Sequence, residues 1–271
     1  MPELPEVETT RLGILPHIKG KQVNYIIVRE RRLRWPVPKT LNTTLKGQVI
    51  NDVLRRGKYL LFKTDIGTLI LHLGMSGSLR VCTNKEPAVK HDHLDVCLSN
   101  NKCLRLNDPR RFGCVLWTSR AAEKHKLLKS LGPEPFDNQF NADYLYQLSK
   151  KRKLAIKNFI MDAHIVVGIG NIYASEALFL AGINPKRATG NISLARYDRL
   201  VTAVKEVLSA ALNAGGSTLK DFTAPDGKPG YFQHQFKVYG KSGLACENCN
   251  SAIRQITLGQ RSTFYCPSCQ K

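Results

Sequence analysis

Acidic residues are scarce in this 271-residue chain: 21 Asp and Glu stand against 41 Lys and Arg, a formal charge of +20. The deficit is not confined to a tail. Residues 1–132 hold 24 basic against 11 acidic side chains, and residues 133–271 hold 17 against 10. A basic balance shared by both halves suits a polyanion held between them, and nucleic acid is the foremost candidate. Long hydrophobic runs are also missing. No segment approaches the length of a membrane span, and the N-terminus is acidic and helix-like instead of basic and then apolar, which argues against both an anchor and a signal peptide. There is no internal repeat. A complete dinucleotide fingerprint is missing too: in Gly168-Ile169-Gly170-Asn171-Ile172-Tyr173 the third glycine position is Tyr173, and no parallel βαβ pattern surrounds it.

The length suits two domains with a small appendage. Leu4, Val7, Ile14 and Ile18 recur at helical spacing, predicting a helix over residues 3–18. From Gln22 to Trp117 short β-rich runs follow one another: 22–28, 59–64, 68–73, 94–98, 102–106 and 113–117. Gly, Asn, Asp and Pro turns separate them, which reads as an antiparallel sandwich or flattened barrel. Gly132-Pro133-Glu134-Pro135-Phe136-Asp137 is the best linker, because two closely spaced prolines continue neither a helix nor a central strand. Helices are expected near 141–149, 152–163, 171–181 and 193–214. Residues 217–239, with Pro225-Asp226-Gly227-Lys228-Pro229-Gly230, show no period and read as a long mobile loop of the kind that carries function. The class is therefore α+β.

The eight cysteines fall into two groups. Cys82, Cys97, Cys103 and Cys114 are scattered through strand-like sequence and read as small buried residues in a reducing compartment. Cys246-x2-Cys249 and Cys266-x2-Cys269 have the spacing at which two thiolate pairs close a tetrahedral zinc site, against the alternative of a disulfide or redox pair. Four sulfur ligands leave no open coordination position, so such a zinc is structural and the chemistry lies elsewhere. Between the pairs, 253–257 and 263–265 read as strands joined by Leu258-Gly259-Gln260-Arg261-Ser262. The metal would staple a ribbon too small to fold alone. Arg261 on that turn suits phosphate or minor-groove contact, or is a solvated turn arginine.

Two further segments bear chemistry. Removal of Met1 leaves Pro2 as a secondary amine that is nucleophilic at neutral pH, with Glu3 beside it as a proton donor. The alternative is that Pro2 and Pro5 merely start the helix. The Gly168–Tyr173 turn feeds a helix N-terminus where free amides can hold a phosphate. Asn171 there is either an N-cap or a phosphate donor.

Taken in order, Pro2-Glu3-Leu4-Pro5-Glu6-Val7-Glu8-Thr9, Arg55-Arg56-Gly57-Lys58-Tyr59-Leu60 and His72-Leu73-Gly74-Met75-Ser76-Gly77 open a longer pattern. Lys90-His91-Asp92-His93, Asp108-Pro109-Arg110-Arg111-Phe112-Gly113, the Gly168 turn and the four-cysteine finger complete it. Over its whole length this pattern closely resembles formamidopyrimidine-DNA glycosylases, bacterial base-excision repair enzymes. The resemblance implies an N-terminal β-sandwich with a leading helix (1–132), a helical helix-two-turn-helix domain (133–236) and a zinc finger (237–271), with loop 217–239 capping a flipped base. It implies Pro2 as the nucleophile at C1′, Glu3 as acid/base, Glu6 as its electrostatic partner, Lys58 in β-elimination and Arg261 in δ-elimination. Met75, Arg110 and Phe112 would fill the space left by the everted base, with Arg110 on the orphaned cytosine. His91, Arg110, Arg152, Lys157 and Asn171 would contact DNA. The implied enzyme is a cytoplasmic monomer, associated with the nucleoid while scanning. It holds one structural Zn2+ and no redox or nucleotide cofactor, and it acts on double-stranded DNA containing oxidised purines. Two departures stand out: Asn158, where many relatives have proline, and Ala163-His164. The neighbouring endonuclease VIII type, which acts on oxidised pyrimidines, typically opens with glycine in place of Leu4 and lacks the Met75, Arg110, Phe112 set. A non-catalytic zinc-ribbon regulator would explain the charge and the cysteines but not the Pro2-Glu3 start.

Overall fold

The computed structural model describes residues 1–217 and 232–271, which separate into two compact units. The first comprises 1–129 with 214–217, the second 130–213 with 232–271. The stretch 218–231 of the expected capping loop lies outside the described residues.

The first unit opens with helix α1 (Leu4–Ile18). Its start is fixed by a reciprocal capping box, in which the Glu3 amide donates to Glu6 Oε2 at 2.9 Å and the Glu3 side chain accepts the amide at Glu6. Nine strands follow: β1 (Lys21–Val28), β2 (Val49–Ile50), β3 (Asp52–Arg56), β4 (Tyr59–Thr64), β5 (Gly67–His72), β6 (Ser78–Thr83), β7 (Asp92–Leu98), β8 (Lys102–Asn107) and β9 (Cys114–Thr118). A short helix α2 (Leu41–Leu45) lies between β1 and β2. The strands form two antiparallel sheets, β2-β1-β7-β8-β6 and β3-β4-β5-β9. Alternation dictates the core: Leu60 and Phe62, Leu69 and Leu71, Leu94, Val96 and Leu98, and Leu104 and Leu106 all point inward. Val7, Ile14 and Ile18 of α1 join the same core. The expected sandwich is present. Missing from the sequence reading were β2 and α2, which are short, β3, where three of five residues are charged, and β6, where only Leu79 and Val81 mark the alternation.

The opposite face of β7 and β8 is buried as well. Arg105, 2 % exposed, donates to both oxygens of Asp95 at 2.8 and 2.9 Å and to the carbonyls of Glu86 and Pro87. One residue pair away, Cys82, Cys103 and Cys97 occupy facing positions on β6, β8 and β7. All four scattered cysteines are buried. The reading of four separate reduced thiols is corrected at one pair, because Cys97 and Cys103 are joined as a disulfide between neighbouring strands.

The second unit contains α3 (Ala142–Ser149), α4 (Ile156–Ile160), α5 (Asn171–Leu180) and α6 (Leu194–Asn213), then the hairpin β10 (Arg254–Leu258) and β11 (Arg261–Tyr265). The expected helix over 152–163 shrinks to five residues. Lys151 has φ +61°, and Ala155 is extended in a bridge to Ala188. After the helix, Asp162 turns the chain by accepting the amides of His164 and Ile165. The reading of 217–239 as one mobile loop is corrected at its far end. Residues 232–235 form a 3-10 turn, and the amides of Lys237, Val238 and Tyr239 donate to the Glu176 carboxylate at 2.8 to 3.1 Å. No helix among the described residues is long and apolar enough to cross a membrane.

Candidate active site and nucleic-acid interface

In the first unit, Pro2 is buried at the head of α1, with Glu3 2 % and Glu6 0 % exposed. Besides its bond to the Glu3 amide, Glu6 accepts through Oε1 from the Ser217 amide (2.9 Å) and hydroxyl (2.8 Å). Its carboxylate thus ties the first turn of the chain to residue 217. Gly216 faces it at φ +80°, where an added Cβ would lie 3.3 Å from Oε1. A buried carboxylate held by several donors is fixed in orientation. Ser217 was not singled out from the sequence, since a serine 211 residues downstream gives no local signal.

Lys58 stands with Gly57 in the tight turn between β3 and β4, where Arg56 pairs with Tyr59 and Gly57 takes φ +56°. That turn is tied to α1: Glu8 binds Arg55 Nε at 3.0 Å, and Arg55 in turn donates to the Gly57 carbonyl at 3.0 Å. Beside it, the His72 ring lies 4.8 Å from Tyr59 and its Nδ1 accepts the Gly74 amide at 2.9 Å. Burial, with the Lys58 and Arg34 charges, pushes His72 down to about 4, so it is a neutral acceptor at physiological pH.

Asp108, fully buried, gathers the wedge loops. Its Oδ1 accepts from the Ser76 hydroxyl (2.9 Å) and its Oδ2 from the Gly113 amide (2.8 Å), while the Arg110 amide reaches Ser76 Oγ at 3.3 Å. Gly74, at φ +68°, packs so closely that a Cβ would lie 2.7 Å from the Phe112 carbonyl oxygen. Met75, Arg110 and Phe112 are therefore held on two adjoining loops. Phe112 is 43 % exposed, and its ring lies 4.9 Å beneath the Arg110 guanidinium. His91, at φ +72°, borders the same segment by accepting the Asp108 amide through its carbonyl, and its ring lies 6.2 Å from that of His93.

The second unit brings Lys157, Asn171 and the hairpin together. Lys157 is fully buried, and its Nζ donates to Asn171 Oδ1 at 2.6 Å, Thr263 Oγ1 at 2.8 Å and the Ser262 carbonyl at 3.3 Å. The Asn171 amide donates to the Ser262 carbonyl at 2.9 Å and to the Tyr239 hydroxyl at 3.4 Å. The alternative of Asn171 as an N-cap is corrected: Gly170 is the cap, and Asn171 is the first helical residue. Arg152 is exposed, with its guanidinium 5.6 Å from the Phe159 ring.

The hairpin is tighter than the five-residue link read from sequence. Leu258 pairs directly with Arg261 across Gly259-Gln260, both at positive φ (53° and 58°), a turn that matches the twist of its strands. Arg261 is therefore an exposed strand residue immediately after the turn. Asn158, one of the two departures, packs beneath that turn: a Cβ on Gly259 would lie 3.0 Å from its side-chain nitrogen. His164, the other, is exposed and bonds Asp162 at 2.9 Å through Nδ1.

The four finger sulfurs lie within 4.8 Å of one another, with Cys249 to Cys266 at 3.4 Å and Cys246 to Cys269 at 3.9 Å. Zinc–sulfur bonds of about 2.3 Å in a tetrahedron place sulfurs about 3.8 Å apart, so this donor set fits one Zn2+. Gln270 braces the site, accepting the Cys266 amide at 2.8 Å and donating to the Ile183 carbonyl at 2.9 Å.

A buried first turn carrying Pro2, Glu3 and Glu6, a strongly basic composition and a four-sulfur finger fit a nucleic-acid-binding protein whose zinc is structural. Three family models match: "Formamidopyrimidine-DNA glycosylase N-terminal domain" over residues 1–115, "Formamidopyrimidine-DNA glycosylase H2TH domain" over 131–223 and "Zinc finger found in FPG and IleRS" over 243–271. The formamidopyrimidine-DNA glycosylase of Thioalkalivibrio sulfidiphilus is 57 % identical over 271 residues, covering all of both chains, and that of Methylococcus capsulatus is 55 % identical with the same coverage. Among solved structures, the MutM (FPG) protein from Thermus thermophilus superposes with a TM-score of 0.89 at 37 % identity, covering 99 % of this chain and 98 % of that one. A mutant of Lactococcus lactis FPG, in complex with a Fapy-dG containing DNA, gives 0.91 at 34 % identity with full coverage of both. The chain belongs to the formamidopyrimidine-DNA glycosylase family.

Proposed function

We propose that this chain repairs duplex DNA containing 8-oxoguanine or formamidopyrimidines as a bifunctional glycosylase and AP lyase, with Pro2 as its covalent catalyst. The observation that carries the reading is the buried first turn, where Pro2 and Glu3 precede a Glu6 carboxylate held by the Glu3 amide and by the Ser217 amide and hydroxyl. After loss of Met1, the Pro2 nitrogen attacks C1′ of the damaged nucleotide. The C1′–N bond to the base breaks, and the base departs with a proton that Glu3 is placed to manage. The iminium left at C1′ acidifies the C2′ hydrogen. Its removal expels the 3′ phosphate, and a second elimination expels the 5′ phosphate.

Lys58 serves the first elimination and phosphate contact, and Arg261 serves the second. Met75 and Phe112 wedge into the space of the everted nucleotide, and Arg110 bonds the orphaned cytosine. His91, Arg152 and Asn171 form the backbone-contacting set, each unit supplying positive charge. Lys157 serves that set by holding Asn171 and the hairpin in place. Zinc, held by Cys246, Cys249, Cys266 and Cys269, supplies folding energy to the finger. The working partition is a catalytic domain over 1–132, a DNA-binding helical domain over 133–236 with the cap at 217–239, and a finger over 237–271. The enzyme acts as a cytoplasmic monomer on nucleoid DNA.

Borohydride reduction during turnover on a duplex with 8-oxoguanine opposite cytosine tests the covalent step. A reduced adduct on the N-terminal Pro2 peptide is expected. An adduct on another residue, or none during active turnover, overturns the assignment.

A further inference from the structure

The C-terminal end of α5 meets the start of α6 and the last cysteine knuckle around an open cleft of about 490 Å³, lined by Gly182, Arg196, Arg199, Ser268, Cys269 and Lys271. The cleft is strongly basic. Arg196 is flanked by Arg187 and Arg199, whose charges, after the larger effect of burial, hold it below the ordinary arginine value. Its terminal nitrogen donates to the main-chain oxygens of Gly182 and Lys271, but its Nε is buried without a hydrogen-bond partner. Among the described residues no Asp or Glu carboxylate pairs with Arg187, Arg196, Arg199 or Lys271. Asp198, the nearest acid in sequence, makes no ion pair with them. A carboxylate at Lys271 offsets one of these charges and leaves an excess of positive charge.

Arg196 meets main-chain oxygens alone and no Asp or Glu stands beside Arg199 or the neighbouring Arg187, so these guanidinium groups repel one another, and a buried N–H without an acceptor carries the cost of its desolvation. A multivalent oxyanion relieves the repulsion, because the exposed guanidinium nitrogens match phosphate oxygens. Ser268, whose hydroxyl is within 2.8 Å of that of Ser251, adds a rotatable donor at the rim. The cleft is also separate from the interface already described. Asn171 begins α5 and Gly182 follows its end, so about 15 Å of helix lies between them.

We propose that this cleft is a second anion subsite that binds a phosphate-type oxyanion through Arg196 and Arg199, apart from the lesion-binding face. The phosphate belongs either to a second DNA segment or to a small phosphate compound.

The test uses the full-length zinc-loaded protein, already saturated with a duplex carrying a tetrahydrofuran abasic analogue. Arginine Nε–H resonances are followed while inorganic pyrophosphate, or separately an undamaged 20-base-pair duplex, is added. Arg196 Nε–H should shift saturably, and Arg199→Gln should weaken that response about tenfold, in line with loss of one charge-assisted pair. Arg199 is exposed and outside the hydrogen-bond network, so this variant keeps the fold and should excise 8-oxoguanine at the parent rate. Arg196→Lys, which keeps the charge but loses the fork, should weaken binding as well, read at the Arg199 Nε–H resonance. A response to both probes assigns the subsite to DNA phosphodiesters, and a response to pyrophosphate alone assigns it to small phosphates. If neither probe moves Arg196, or both variants bind like the parent, the subsite does not exist.

Discussion

Replacing Lys157 with methionine separates positioning from DNA contact in the second unit. The side chain is fully buried, and its ammonium is spent on Asn171 Oδ1, Thr263 Oγ1 and the Ser262 carbonyl. Hydrogen bonds to a charged group contribute about 1.5–3 kcal/mol each, so the three sum to roughly 4–9 kcal/mol before the cost of burying the ammonium. That burial costs several kcal/mol, and methionine, of similar length and apolar, recovers it. The net loss is therefore about 2–4 kcal/mol, part of it from the Asn171 and Thr263 oxygens left without their strongest donor. At roughly 3 °C per kcal/mol the unit should melt about 6–12 °C earlier. The functional consequence follows from the hairpin. Ser262 and Thr263 succeed Arg261 on β11, so loosening them moves the guanidinium assigned to the second elimination. On an abasic duplex, K157M should accumulate the product of the first elimination at the expense of the doubly eliminated one. Its borohydride trapping at Pro2 should stay near the parent rate. Arg261→Gln is the control: the same shift in products, with no fall in melting temperature. If K157M melts within about 2 °C of the parent and keeps its product ratio, the brace has no energetic or catalytic weight and the reasoning fails.

Two further predictions rest on the first unit. Gly74→Ala places a Cβ against the Phe112–Gly113 peptide at a positive φ. It should cost about 2–4 kcal/mol and reduce excision opposite cytosine more than AP-site cleavage, and equal losses in the two assays would remove Gly74 from the wedge. The second prediction concerns acid stability. Burial raises the Asp95 and Asp92 carboxyls, but hydrogen bonds and charges, from Arg29 and Arg105 on Asp95 and mainly from Arg80 and Asn107 on Asp92, outweigh it and hold both below the ordinary value. Groups lowered on folding contribute fully above their unfolded value of about 3.9 and lose that contribution as pH falls through the folded one. The urea midpoint should therefore be level with respect to these groups above about pH 5 and fall steeply below about 4. In Asp95→Asn that acid slope should be shallower, with about 3–5 kcal/mol already lost at pH 7 because Arg105 stays buried with its charge poorly matched. An unchanged slope in the variant would show that Asp95 does not carry the linkage.

What could be read from the sequence was whatever its own neighbourhood determines. Two CxxC pairs bring their ligands together whatever surrounds them, and the alternation of Leu60 with Phe62 or of Leu94, Val96 and Leu98 states which face is buried. The Pro2-Glu3 start is equally local, although its chemistry was legible only through resemblance. The errors came where a distant segment decides. Arg261 was read as a loop residue because Gln260 is an unusual choice for positive φ, and nothing nearby announces a two-residue turn. Residues 152–163 keep helical spacing, yet Ala155 is drawn into a bridge with Ala188 and only five residues remain helical.

Lys157 shows why that division has functional weight. In a chain with 41 Lys and Arg, a lone lysine reads as one more phosphate contact, and only the approach of residues 171 and 262–263 turns it into a buried strut. The same logic separates the two basic features of the second unit. At one end of α5 the positive charge of Lys157 is consumed within the protein, and at the other Arg196 and Arg199 have no Asp or Glu to meet among the described residues. Net charge alone treats these groups as equivalent, whereas their partners make one a positioning residue and the others a place for an anion. The salt dependence of binding to undamaged DNA discriminates between them. K157M should leave the slope of log K against log salt nearly unchanged, since no phosphate contact is lost. Arg152→Gln should lower its magnitude by about 0.9, the signature of one contact removed. A full-unit change in K157M would mean that its ammonium meets phosphate after all, at the expense of the bonds that now bury it.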